Sequence, residues 1–101
     1  MPEKRLLSPT EVETALHDLS NWEYRAGHLH REYRFADFVH AWAFMTGCAI
    51  HAQELNHHPN WSNVYSRVTV ELFTHDAGGV TGLDLELARR FELLAAHFPP
   101  G

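Results

Sequence analysis

The chain has 101 residues, of which 45% are apolar, and this length suffices for one domain with a single hydrophobic core. Its formal net charge of −5, with Lys and Arg scattered along the chain, argues against a direct nucleic-acid partner, because phosphate binding needs a basic surface. No apolar run approaches the ~18 residues that a membrane span requires, so no membrane partner is expected.

A helix is predicted to begin at Ser8, which can cap it, with Pro9 at the first helical position and Glu11 at capping-box spacing. This first helix ends near residues 20–21. Residues 22–24 and 29–35 have the composition of two strands joined around Ala26 and Gly27, which predicts a hairpin.

A long helix is predicted over residues 38–55, with Asp37 as its cap and Pro59 as its stop signal. Gly47 within it suggests a close approach of another element. An apolar stripe at helical spacing is predicted to form its core-facing side. The stripe consists of Phe38, Trp42, Met45, Ala49 and Ala52, widened by Val39, Ala43 and Ile50.

The second half of the chain predicts another pair of strands and a final helix. Apolar residues alternate with other residues over positions 68–73, and residues 61–65 form a shorter strand before them, with a turn near 66–67. Thr81 and Asp84 have the spacing of a capping box for the last helix, and residues 99–101 are expected to fray.

The element order is therefore α-β-β-α-β-β-α in a single domain over residues 1–101. This order predicts an α+β fold, a four-stranded antiparallel sheet with helices on one face. A sheet this small leaves a face or an edge open, so self-association is expected.

Cysteine usage and the N-terminal residues bear on the compartment. Cys48 is the single cysteine, and its apolar helical surroundings favour a buried structural thiol in a reducing compartment. The first residues lack the apolar segment of a signal peptide, so a cytoplasmic location is expected.

The candidate functional residues gather between Gln53 and Asp84. His57 and His58 follow the long helix, whose dipole favours a cation at that end, and Pro59 restrains the corner after them. His75 ends the strand that follows, so a helix end and a strand end can meet at one pocket. With Trp61 and Tyr65, these imidazoles suit a planar polar heterocycle with which they exchange protons.

Two other interpretations remain open at this point. Adjacent histidines can be no more than a polar helix terminus. A zinc site is disfavoured, because the spacing of His57, His58 and His75 is not a known ligand spacing and Cys48 lies within a helix.

A set of spaced residues resembles the signature of the pterin-4a-carbinolamine dehydratase family. The set comprises His57-His58-Pro59, Tyr65, His75 and Asp84, and the surrounding Phe44-Met45-Thr46, Asn63-Val64-Tyr65 and Thr74-His75 are similar to that family as well. The resemblance covers nearly the whole chain, and the family's fold has the element order predicted above.

The resemblance implies a dehydratase that converts 4a-hydroxytetrahydropterin to quinonoid dihydropterin and so recycles the cofactor of aromatic amino acid hydroxylases. It implies His57, His58 and His75 as the catalytic set. Because the reaction needs one acid and one base, we predict His57 and His75 as the acid/base pair and His58 as the residue that positions the pterin. The resemblance also implies a homodimer or homotetramer, with no metal and no bound cofactor. The implied substrate-binding residues are Gln53, Asn56, Pro59, Trp61, Tyr65 and Asp84.

Two positions depart from the family pattern. Gln53 stands where members usually have an acidic residue, and Asn56 stands where some have Asp. Asp84 matches the pattern, but its capping-box spacing favours a structural role. A non-catalytic binding protein on the same fold, acting as a dimerisation or assembly cofactor, is the alternative that Gln53 favours.

Overall fold

A computed structural model describes residues 4–99 and 101 of the chain. The helices are α1 (Pro9–Ala15), α2 (Phe38–Leu55) and α3 (Gly82–Ala95); the strands are β1 (Glu23–Arg25), β2 (His28–Arg34), β3 (Asn60–Val64) and β4 (Arg67–Leu72); Leu16–Asp18 and His75–Ala77 form single 3-10 turns. Two predictions concern residues outside the described range. The prediction that a signal segment is missing includes residues 1–3, and the prediction of a frayed tail includes residue 100.

The four strands form one antiparallel sheet in the order β1-β2-β4-β3. In β4 the buried Val68, Val70 and Leu72 alternate with half-buried residues, as the sequence pattern predicts. Ala26 and Gly27 both have positive φ, which is the conformation of the tight hairpin turn between β1 and β2. The prediction of an α+β fold with this element order is confirmed.

The predicted helix caps are present. Ser8 and Glu11 form a reciprocal capping box at α1, and Thr81 and Asp84 form another at α3. At α2 the side chain of Asp37 accepts a hydrogen bond from the backbone N–H of His40, and this bond is the largest cause lowering the pKa of that carboxyl. The starts of all three helices are therefore fixed by local sequence.

The prediction of which α2 residues face the core is wrong for most of them. The helix buries Ala41, Phe44, Met45, Cys48 and Ala52. Only two of these belong to the predicted stripe, and several large members of that stripe are exposed instead. Their exposed fractions are 47% for Phe38, 72% for Val39, 48% for Trp42 and 60% for Ile50. Because α2 is apolar around most of its circumference, the sequence pattern does not identify the side that faces the sheet.

Gly47 brings α2 and α3 close together, as the sequence suggests. A Cβ atom at this position would lie only 2.5 Å from Cδ2 of Leu94 on α3. This contact helps to hold the C-terminal half of α2 against α3. Among the described residues, no helix is long and apolar enough to cross a membrane.

Candidate active site

The end of α2 directs the histidine pair. Asn56 has left-handed backbone angles, φ 49° and ψ 44°, which asparagine tolerates better than most residues. Its N–H donates to the carbonyl of Gln53, and the N–H of His57 donates to the carbonyl of Ala52 at 3.0 Å. These two bonds are those of a Schellman motif, so the helix ends at Leu55, as predicted, and Asn56 caps it.

His57 binds a fully buried carboxylate. Its Nε2 is hydrogen-bonded to Oδ1 of Asp84, which lies in the first turn of α3 and has an exposed fraction of 0%. The other carboxylate oxygen, Oδ2, accepts from the Thr81 backbone N–H and from the Thr74 hydroxyl, each at 2.9 Å. The positive end of the α3 dipole further favours an anion here.

These bonds assign the proton positions on the histidine. An ionised carboxylate only accepts hydrogen bonds, so Nε2 of His57 carries the proton that it donates to Asp84. The second ring nitrogen, Nδ1, is then the one that can exchange a proton with a bound molecule. Asp84 caps α3 as predicted and also binds His57, whereas the substrate-binding role implied for it stays a prediction.

His75 lies on a short turn that follows β4. It begins the 3-10 turn His75–Ala77, after the end of the strand, and its side chain is exposed. The backbone of Thr74 pairs with Gly79 in an isolated bridge and closes this turn. The turn thus presents His75 next to a buried residue that contacts Asp84.

An open pocket of about 230 Å³ brings the three predicted histidines together. It is lined by Lys4, Asn56, His57, His58, Phe73, Thr74, His75 and Asp76. Lys4, Phe73, Thr74 and Asp76 were not predicted as site residues. Thr74 and Asp76 could have been predicted, because they are the sequence neighbours of His75. Lys4 lies in the N-terminal segment, and nothing in the sequence indicates that it contacts the pocket.

Gln53 and His58 form the exposed side of the site. Nε2 of His58 lies 3.5 Å from the side-chain carbonyl oxygen of Gln53, the long limit of a hydrogen bond. Both side chains are exposed. His58 is therefore held loosely, in contrast with the buried His57.

The structure places the remaining predicted binding residues away from this pocket. Trp61 packs its ring against Phe91 in the core, with ring centroids 6.3 Å apart. Tyr65 is 64% exposed, in the β3–β4 turn with φ 52°. Pro59 is half-buried between His58 and the start of β3. Within one chain, none of these three side chains lines the histidine pocket.

The candidate site residues include imidazole and carboxylate groups, which can also be metal ligands. Among the residues that the structure describes, no group of three His, Cys, Asp or Glu side chains is placed to hold a metal ion together. Cys48 is fully buried in α2 and lies outside the pocket lining, and burial raises the pKa of its thiol. The imidazoles that line the pocket are groups able to transfer protons near neutral pH.

Comparisons with known proteins place the chain in a family. The family model described as Pterin 4 alpha carbinolamine dehydratase matches residues 5–94. A Solibacter usitatus protein (strain Ellin6076), provisionally named as a pterin-4-alpha-carbinolamine dehydratase, is 53% identical over 89% of this chain and 95% of its own length. A Burkholderia orbicola protein (strain MC0-3) with the same provisional name is 53% identical over 94% of this chain and 95% of its own.

A solved structure gives the same result. The crystal structure of a transcriptional coactivator/pterin dehydratase from Brucella melitensis superposes with a TM-score of 0.87 at 39% sequence identity. The match covers 91% of this chain and 99% of the Brucella chain. Fold and sequence similarity therefore extend over the same elements that build the histidine pocket.

Proposed function

This chain belongs to the pterin-4a-carbinolamine dehydratase family, and we propose that its histidine pocket dehydrates a 4a-hydroxytetrahydropterin to the quinonoid dihydropterin. The observation that carries this proposal is the convergence of His57, His58 and His75 on one pocket. Three imidazoles can supply both an acid and a base near neutral pH.

The reaction requires two proton transfers and no redox step. The C4a–O bond breaks as an acid protonates the leaving hydroxyl, which departs as water. A base removes the proton from N5, and the electrons of the N–H bond form the N5=C4a double bond. Each group ends in the protonation state opposite to its start, and exchange with water restores both.

The geometry supports a division of roles among the histidines. Asp84 fixes the tautomer of His57 and leaves Nδ1 for proton exchange with the substrate. His75, exposed on its turn, is the second acid/base group, and His58 beside Gln53 positions the pterin. In the cytoplasm, this activity would recycle the tetrahydropterin cofactor of an aromatic amino acid hydroxylase.

Stopped-flow measurement of carbinolamine loss in a hydroxylase-coupled assay tests the enzyme. Micromolar protein should accelerate the loss, and His75→Ala should slow the catalysed rate by about two to four orders of magnitude. His17→Ala, an exposed histidine after α1, is the matched control and should leave the rate unchanged. A wild-type rate equal to the uncatalysed rate would exclude the proposal.

A second candidate function is non-catalytic binding or assembly on the same fold. It is favoured by the word coactivator in the name of the Brucella relative and by the neutral Gln53 beside His58. Calorimetry with a stable reduced pterin separates the two functions. Binding without turnover supports this second candidate, whereas turnover with the histidine dependence given above supports the enzyme.

The exposed side of α2 supports self-association as a homodimer or homotetramer. It presents large apolar side chains that a lone subunit would leave in water, namely Phe38, Val39, Trp42 and Ile50. Analytical ultracentrifugation should give a mass above that of one chain. The paired substitution Val39→Lys and Ile50→Lys should reduce it to a monomer, and an unchanged mass would place the contact elsewhere.

A further inference from the structure

We infer that Thr74 is a positioning residue that couples the two proton-transferring histidines, an inference that rests on the proposed dehydratase function. Its hydroxyl touches the carboxylate that binds His57, and its backbone closes the turn that carries His75. Thr74 directly precedes His75, so one residue contacts the carboxylate at one histidine and carries the other. Thr74 itself is 5% exposed.

The direction of the hydrogen bonds around Thr74 follows from counting protons. Thr74 has a single hydroxyl proton, which it donates to Oδ2 of Asp84 at 2.9 Å. Its contact with the Thr81 hydroxyl, at 2.7 Å, must then be one in which Thr81 donates. Thr81 in turn accepts from the backbone N–H of Leu83.

The result is a one-way chain of donors that ends on a carboxylate. Leu83 N–H, Thr81 O–H and Thr74 O–H point in sequence toward Oδ2 of Asp84, and Nε2–H of His57 points toward Oδ1. The donors of this chain need an accepting Oδ2, and an ionised Asp84 also accepts from Nε2–H of His57 at Oδ1. This buried arrangement therefore keeps His57 in the tautomer with its proton on Nε2.

The backbone of Thr74 forms the hydrogen bonds that hold the turn after β4. Its N–H donates to the carbonyl of Gly79 at 2.7 Å, and its carbonyl accepts from the N–H groups of Ala77 and Gly78 at 3.1 Å and 3.0 Å. These bonds fix the turn from which His75 projects. A shift of Thr74 would consequently move His75 and disturb His57 at the same time.

Two substitutions at Thr74 separate its hydroxyl from the rest of the residue, and a third substitution elsewhere is the control. Thr74→Val keeps the shape but removes the donor, which leaves the Thr81 hydroxyl and Oδ2 of Asp84 each without one partner. Thr74→Ser keeps the donor and is the rescue variant. Thr69→Val, on β4 and outside the pocket lining, is the matched control.

Each protein is measured by stopped-flow turnover and by nitrogen-15 spectra of the imidazoles without substrate. Thr74→Val should lower kcat about 10- to 100-fold, the value of one hydrogen bond to a charged group, with KM within twofold of wild type. The His57 spectrum should change from one Nε2–H tautomer to a mixture. Thr74→Ser and Thr69→Val should retain both wild-type properties.

Other outcomes overturn the inference. An unchanged tautomer and rate in Thr74→Val would show that the hydroxyl is dispensable, and a raised KM alone would indicate direct substrate contact. Equal damage from Thr74→Ser would assign the effect to packing of the methyl group. If wild type shows no turnover, the proposed function fails, whereas the tautomer spectra still decide whether Thr74 controls His57.

Discussion

The side-chain carbonyl oxygen of Gln53 lies 3.5 Å from Nε2 of His58, so a neutral amide faces this imidazole on the exposed side of the site. An amide accepts a hydrogen bond but does not carry the negative charge that stabilises an imidazolium. The family resemblance implies an acidic residue at this position, which would supply that charge beside His58.

Replacing Gln53 with glutamate should restore that charge. We expect Gln53→Glu to raise the dehydratase rate by up to about fivefold, since an exposed ion pair is worth about 1 kcal/mol or less. Steady-state kinetics at low salt, with Gln53→Ala as the control without an acceptor, measures the effect. A rate equal to wild type would show that this acidic residue is dispensable in the present chain.

The buried carboxylate of Asp84 should contribute to both stability and turnover. In Asp84→Asn an NH2 group replaces one accepting oxygen. It faces either Nε2 of His57, which must then change tautomer to accept, or the donors of Thr74 and Thr81, which then lose an acceptor. We expect a free energy of unfolding lower by about 1–3 kcal/mol and a markedly slower reaction. Urea denaturation checks the first and stopped-flow turnover the second.

Glu86→Gln is the control for that substitution, because it changes the same charge on the same helix in a partly exposed ion pair with Arg90. It should leave both stability and turnover near wild type. Equal losses in the two variants would indicate a general charge effect in place of the buried network.

The thiol of Cys48 should be unreactive in the folded protein. It is fully buried, and burial raises its pKa above the ordinary value of a thiol, so the reactive thiolate is scarce at neutral pH. We expect a disulfide reagent at pH 8 to modify it at least about a hundredfold more slowly than in a denatured sample. Rapid modification of the native protein would contradict the buried structural role.

The contribution of Glu11, in the capping box of α1, to the stability of the fold should be lost at low pH. Hydrogen bonds from Arg5, followed by the backbone N–H of Ser8, lower the pKa of Glu11 from 4.5 to about 2. A lowered folded-state pKa stabilises the fold above pH 4.5, and this contribution is lost as the pH falls toward about 2.

Thermal unfolding of Glu11→Gln beside Glu13→Gln measures that contribution. The Tm of Glu11→Gln should lie below wild type at pH 7, and the difference should disappear near pH 2. Because Glu13 carries the same charge on the same helix, a similar pH-dependent difference for both would assign the effect to net charge.

The element order and the caps could be predicted from the sequence because their causes are local. Ser8 with Glu11, Asp37, and Thr81 with Asp84 each act within one turn of their own helix. The grouping of His57, His58 and His75 could also be predicted, because the family resemblance indicates their spacing. No rule of local structure contains that spacing.

The burial of α2 and the contacts of the site could not be predicted in the same way. Phe38 and Trp42 satisfy a helical period as well as the buried Phe44 does, and only the packing of α3 and the sheet selects between the two sides. The bond between His57 and Asp84 joins residues 27 positions apart, and the arrival of Lys4 depends on the path of the N-terminal segment.

The hydrogen bond between His57 and Asp84 joins the end of α2 to the start of α3. Recovery of activity should therefore report when these two helices have docked during refolding. The helices can form early from local interactions, but the site is complete only when both helices and the end of β4 have docked. In a jump from denaturant, helical circular dichroism should therefore recover no later than turnover. A variant that regains its helix signal without its activity would mark a chain arrested before this last docking.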